Sequence, residues 1–136
     1  MIVLDTNIVL DLLVFDDPAT PPLRDALDSR QLQWIATPSM REELARVLAY
    51  PHIAPRLVYY RLSAHDVLAA FDQQVQIVDA APRAACVCKD PDDQKFIDLA
   101  QAHRAVLLSK DHAVLRLKKR LAPLGVLVQR AMPAAA

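Results

Sequence analysis

The chain has 136 residues, of which 54% are hydrophobic, and it balances 16 Lys and Arg against 16 Asp and Glu. That length suits one domain with a real core, and that hydrophobicity excludes a disordered chain. Charge balance removes a whole-chain basic excess as a pointer to nucleic acid, though a local basic patch beside an acidic site would average to the same zero. The one glycine, Gly125, excludes a Gly-rich phosphate loop and a dinucleotide fingerprint.

No run reaches the roughly 18 apolar residues of a membrane span. The first apolar segment lacks a basic flank and is interrupted by Asp5, which argues against a signal peptide and for a cytoplasmic protein. Ile2 to Leu4 reads as a first strand, ending directly on Asp5, Thr6 and Asn7. Ile8 to Val14 reads as a short helix or turn leaving the sheet, broken by Asp16, Asp17 and Pro18. Leu23 and Leu27 share a face of a short helix starting at Pro21 or Pro22. Gln33 to Ala36 is a second strand. Thr37-Pro38-Ser39 opens a helix, with Ser39 as its cap and Leu44, Val47 and Leu48 on one face.

Ser63 and Asp66 resemble a capping box for a helix carrying Val67, Leu68 and Phe71. Val75, Ile77 and Val78 suggest a third strand, and Pro82 to Lys89 a loop. Asp90 can cap the next helix with Pro91 at its first position; Phe96, Leu99, Ala100 and His103 form its inward stripe. Ala105 to Leu108 is a fourth strand, followed by Ser109-Lys110-Asp111. A helix from Val114, Leu115 and Leu117 breaks near Pro123 and Gly125, and Val126 to Val128 is a fifth strand. Alternating strands and helices predict parallel pairing in a three-layer α/β/α domain with about five strands, over residues 1–131, with 132–136 as a frayed tail.

Four acids fall where they could converge. Asp5 ends strand one, Glu43 lies one turn into the helix opened by Ser39, Asp93 lies in the first turn of the helix capped by Asp90, and Asp111 follows strand four. If strands one and four are neighbours, Asp5 and Asp111 meet at the switch point of the sheet, where open α/β sheets bind ligands. Crowded carboxylates repel one another, and a divalent cation relieves that repulsion. Oxygen donors point to Mg²⁺ or Mn²⁺ rather than Zn²⁺, and such ions promote phosphodiester cleavage.

With these motifs in order, the chain resembles the PIN domain (named after the PilT N-terminus), and within it the VapC-like toxin group. The resemblance runs nearly end to end. It rests on an apolar strand followed by Asp5-Thr6-Asn7, on Ser39 with Glu43-Leu44 and Val47-Leu48, on Asp90-Pro91-Asp92-Asp93 with Lys95-Phe96, and on Ser109 with Asp111. It implies a Mg²⁺- or Mn²⁺-dependent endoribonuclease in which water attacks phosphorus, leaving a 5′-phosphate and a 3′-hydroxyl. It also implies a toxin paired with a cognate antitoxin, and a homodimer. By this resemblance Asp5, Glu43, Asp93 and Asp111 form the catalytic and metal site. Asn7 and Ser109 orient ligands, Thr6 supports the turn, and Ser39 and Asp90 are supporting residues. Two departures stand out: Ala113 occupies a place where relatives often carry another acid or amide, and Asp90, Asp92 and Asp93 compete for one role, as do Glu42 and Glu43.

Structural readings accompany each of these. Asp5, Asp90 and Asp111 can cap helices; Asp92, Asp98 and Glu42 can face solvent. Cys86 and Cys88 read as buried thiols rather than ligands, and His103 and His112 as surface or packed side chains. Trp34 reads as core. Tyr59 and Tyr60, with Val58 and Leu62, read as core or a dimer face. Arg116, Lys118, Lys119 and Arg120 read as a solvated face or a phosphate-contacting rim. Two other functions compete with the nuclease: a PIN-fold module that binds antitoxin or RNA without efficient cleavage, and a phosphatase of the haloacid-dehalogenase type. Asn7 argues against the phosphatase, because it stands where that class needs a second Asp.

Overall fold

A computed structural model describes residues 1–133. Five short strands, β1 (Ile2–Leu4), β2 (Trp34–Ala36), β3 (Val75–Ile77), β4 (Val106–Leu108) and β5 (Leu127–Gln129), form one sheet in the order β3-β2-β1-β4-β5. Every pairing is parallel, with Ile2 opposite Trp34 on one side and Val106 on the other. Each central strand is a three-residue apolar run with no polar alternation, as a sheet covered on both faces requires. Helices supply that cover: α1 (Thr6–Leu10), α2 (Pro21–Asp28), α3 (Pro38–Leu48), α4 (Ala54–Tyr59), α5 (Ala64–Gln74), α6 (Gln94–His103), α7 (His112–Leu115) and α8 (Lys118–Leu121). The α/β sandwich expected from the sequence is therefore observed, with an all-parallel sheet.

The core runs on both sides of β1 and β4. Helix α6 packs against both strands, and its Phe96, Ile97, Leu99 and Ala100 are buried. His103 is half-buried at the end of that stripe, and Ile97 belongs to it. Trp34 is core, meeting Phe71 edge-on with centroids 5.2 Å apart. Truncating either ring to Ala would cost about 3–5 kcal/mol. Gly125 sits at φ +85°, and a Cβ there would lie 3.1 Å from the Arg104 side chain, so the turn into β5 needs this glycine.

Some local expectations change. Thr37, not Ser39, occupies the cap position of α3; Pro38 is the first helical residue, so Ser39 lies inside the helix with its hydroxyl 3.2 Å from that of Thr37. Residues Asp11–Phe15 continue α1 as a π-helical turn, in which the Leu12 carbonyl accepts from Arg24 at 2.8 Å. Helix α4 has no counterpart in the sequence reading; Leu57 is its one buried residue, so it carries no periodic apolar stripe. Asp98 does not simply face solvent: it accepts from the Ala84 amide at 2.8 Å and from Gln94 at 2.9 Å, pinning the loop before α6. Met132 is half-buried against the core rather than frayed; residues 134–136 of the expected tail lie outside the described residues.

Candidate metal centre

Asp5 is delivered by an abrupt change of structure. Its amide continues the sheet, donating to the Leu108 carbonyl at 2.9 Å, while its own carbonyl accepts from Ile8 and Val9 to begin α1. Its side chain makes no capping bond to that helix. The carboxylate is thus free to face the neighbouring strand end, where the fully buried Ser109 hydroxyl donates to it at 2.6 Å. The same Ser109 oxygen accepts from the Asp111 amide at 3.0 Å. One hydroxyl therefore ties the Asp5 carboxylate to the Asp111 backbone, and β1 and β4 are neighbours, which is the condition for these two acids to meet.

Asp93 arrives from α6. Asp90 caps a single 3₁₀ turn, Pro91–Asp93, through a 3.0 Å bond from the Asp92 amide. Asp93 closes that turn and precedes the α-helix, so it is not within the first α-helical turn. The turn points Asp93 inward and leaves Asp92 exposed. Carboxylate oxygens of Asp5, Asp93 and Asp111 lie within 4.8 Å of one another. Asp5 and Asp93 are buried, whereas Asp111 is half-exposed and also caps α7 through the Ala113 amide at 2.8 Å.

The electrostatics follow from this crowding. Burial pushes the Asp93 carboxyl up to about 8, reinforced by hydrogen bonding toward Asp111 and by the charges of Asp5, Asp111 and Asp90. Asp5 is also raised, first by burial; the bond from Ser109 and the nearby Thr6 amide oppose this, and the charges of Asp111 and Glu43 add to it. One oxygen of Asp93, Oδ2, is buried with no hydrogen-bond partner. A buried carboxylate oxygen without a partner is costly. A hard divalent cation held by three carboxylates would satisfy it, so the residues present fit such an ion.

Glu43 stands beside this group rather than in it. The Thr6 hydroxyl donates to Oε2, and the Lys95 ammonium donates to Oε1 at 3.0 Å. Thr6 thus orients Glu43 rather than merely supporting a turn. The sequence reading gave Lys95 no role, although it lies inside the Asp90–Phe96 motif two residues from Asp93. Glu42 is exposed, as is Asn7. Cys88 borders the centre, its sulfur 3.6 Å from the Ala113 carbonyl. Burial first, and then the charges of Asp93, Asp111 and Asp90, push its thiol up, which keeps it protonated and unsuited to ligation. Its partner Cys86 is likewise buried and free. Arg116, Lys118, Lys119 and Arg120 are exposed, on and beside α8.

A family model for the PIN domain matches residues 1–113, a span that contains all four of these acids. The chain belongs to the PIN domain family. No curated protein gives a significant match. PIN domains are generally nucleases with divalent metals, and this PIN domain has both the nuclease-type fold and a cluster of buried acids at the sheet edge. Among the described residues, no helix is long and apolar enough to cross a membrane.

Proposed function

We propose that this PIN domain is a Mg²⁺- or Mn²⁺-dependent endoribonuclease and the toxin of a toxin–antitoxin pair. The observation that carries the nuclease reading is the convergence of Asp5, Asp93 and Asp111 around a buried Asp93 oxygen that has no partner. These three acids would hold the ion, with Glu43 beside them. Ser109 ties the Asp5 carboxylate to the Asp111 backbone, and Thr6 and Lys95 hold Glu43. Burial and the neighbouring carboxylates push the Asp93 carboxyl up to about 8, and an ion held there would favour its carboxylate form. When bound, the ion supplies charge neutralisation at the phosphate and a lowered pKa for attacking water. The exposed basic side chains at α8 suit the phosphate backbone of RNA.

The test is cleavage of single-stranded RNA in Mn²⁺. Wild-type protein should cleave it to 5′-phosphate ends and Asp5→Asn should not; cleavage that survives Asp5→Asn unchanged sinks the assignment. The toxin role predicts growth arrest on expression, relieved by the product of a short neighbouring reading frame. A homodimer would use the exposed Val58 and Tyr59 of α4, 75% and 81% accessible. Tyr59→Glu should then shift the mass measured by light scattering to that of one chain. A second reading, a binding module without efficient cleavage, is favoured by Ala113, which offers no side-chain ligand beside Asp111. It predicts tight RNA or antitoxin binding that Asp93→Asn leaves unchanged, with no hydrolysis in any divalent metal.

A further inference from the structure

We propose that Lys95 is a built-in cation that withholds Glu43 from ion binding, so that the centre takes one divalent ion and not two. The inference rests on the ion-binding reading above and deepens it. A second ion about 3.5–4 Å from the first needs carboxylate oxygens beyond those that hold the first. Glu43, whose charge acts on Asp5, and Asp90, whose charge acts on Asp93, are the acids near enough to supply them, and Asp90 is already committed as the cap of its turn through the Asp92 amide. Both oxygens of Glu43 are already engaged: Oε2 accepts from the Thr6 hydroxyl and Oε1 from Lys95 Nζ.

The lysine is held as firmly as the glutamate. Its ammonium also donates to the Asp92 carbonyl at 2.6 Å and sits 5.0 Å from the centre of the Phe96 ring. Glu43 and Lys95 side chains are 16% and 25% accessible, so their pairing is partly desolvated and less screened than a surface ion pair. Two residues beyond Asp111, Ala113 has no side-chain oxygen to offer, and its amide only donates to Asp111. A positive charge fixed at Glu43 also repels a second cation directly. Because Lys95 follows Asp93 by two residues at the start of α6, the turn that aims Asp93 inward also brings the ammonium to Glu43.

Mn²⁺ titration of the full chain decides this, by calorimetry and by paramagnetic resonance of unbound Mn²⁺. Wild-type protein should bind one ion per chain, Asp93→Asn none, Lys95→Arg one and Lys95→Met two. The double variant Lys95→Met with Glu43→Gln should return to one. Lys95→Met binding one ion, or wild type binding two, overturns the role of Lys95 while leaving the centre intact. Wild type binding none overturns the centre and this inference with it. If Lys95→Met does not fold, Glu43→Gln alone still decides. A change in Mn²⁺ affinity within threefold supports a Glu43 that is not a ligand of the resident ion, and a larger loss overturns it.

Discussion

Two aspartates near the N-termini of helices show what this molecule does with the same side chain in two settings. Asp66 begins α5 in a reciprocal capping box: it accepts from the Ser63 amide at 2.9 Å, and the Ser63 hydroxyl accepts from the Asp66 amide at 3.0 Å. It is exposed, and those bonds hold its carboxyl below the usual range. Asp93 precedes α6 and is buried, with one oxygen unpartnered and its carboxyl pushed up to about 8. The first acid is satisfied by its own helix and strengthens the fold. The second is held against its preference by the surrounding fold, and a bound cation would satisfy it. A perturbed acid in a cluster at the sheet edge is a pointer to function, and a satisfied acid in a cap is a pointer to structure.

The sharpest way to break that contrast is activity. Asp93→Asn should lower RNA cleavage by on the order of 10³-fold, whereas Asp66→Asn should leave turnover per folded molecule within about twofold. Single-turnover assays on the two variants check this. A comparable loss in both would erase the distinction.

Ion binding should separate them next. Mn²⁺ at about 100 times its dissociation constant should stabilise the wild type by about 2.7 kcal/mol, and Asp66→Asn by the same increment. Asp93→Asn should gain almost nothing. Thermal melts with and without Mn²⁺, followed by removal of the ion with a chelator, measure the difference.

Without metal, the pH dependences should have opposite signs. Asp93 titrates at about 8 in the folded chain and at 3.8 when unfolded. Between those values the folded state binds the extra proton, so stability falls as pH rises from about 4 to about 8. Asp93→Asn should flatten that slope and be more stable than wild type near pH 8, by roughly 1–3 kcal/mol. Asp66 runs the other way, because its folded pKa lies below the unfolded value. Its contribution is complete above 3.8 and is lost as pH falls through the folded value. Urea melts across the pH range test both signs.

The smallest effect belongs to the cap alone. Ser63→Ala should lower Tm by about 3–5 °C with no change in Mn²⁺ affinity. A change in affinity would mean that α5 and the acidic centre are coupled.

Much of this arrangement is legible in the sequence. The buried strands are runs such as Ile2-Val3-Leu4 and Val106-Leu107-Leu108, which parallel sheets require. The Ser63–Asp66 box is readable because both partners lie within one turn. Helix α4 was missed because it buries only Leu57, leaving Val58 and Tyr59 in solvent without periodicity. Sequence points to Ser39 as the cap of α3 where the fold uses Thr37, since both are capping types and Pro38 between them decides by taking the first helical position. Asp98 looked solvated because its partner, the Ala84 amide, lies fourteen residues away in a loop that folds back on α6.

Sequence by itself determined the five strands in chain order, most of the helices between them, and the places of Asp5, Asp93 and Asp111 near element ends and of Glu43 on a helix face, because periodicity, caps and breakers are local properties of the chain. Tertiary structure decided which of those acids meet. Pairing β1 directly with β4 puts Asp5 beside Ser109 and Asp111 across more than a hundred residues. The same packing of α6 against β1 and β4 buries Asp93 and brings Lys95 to Glu43 on α3. Charge, burial and unpartnered oxygens depend on what surrounds a residue in space, and neighbours in space are set only when the chain has closed its core.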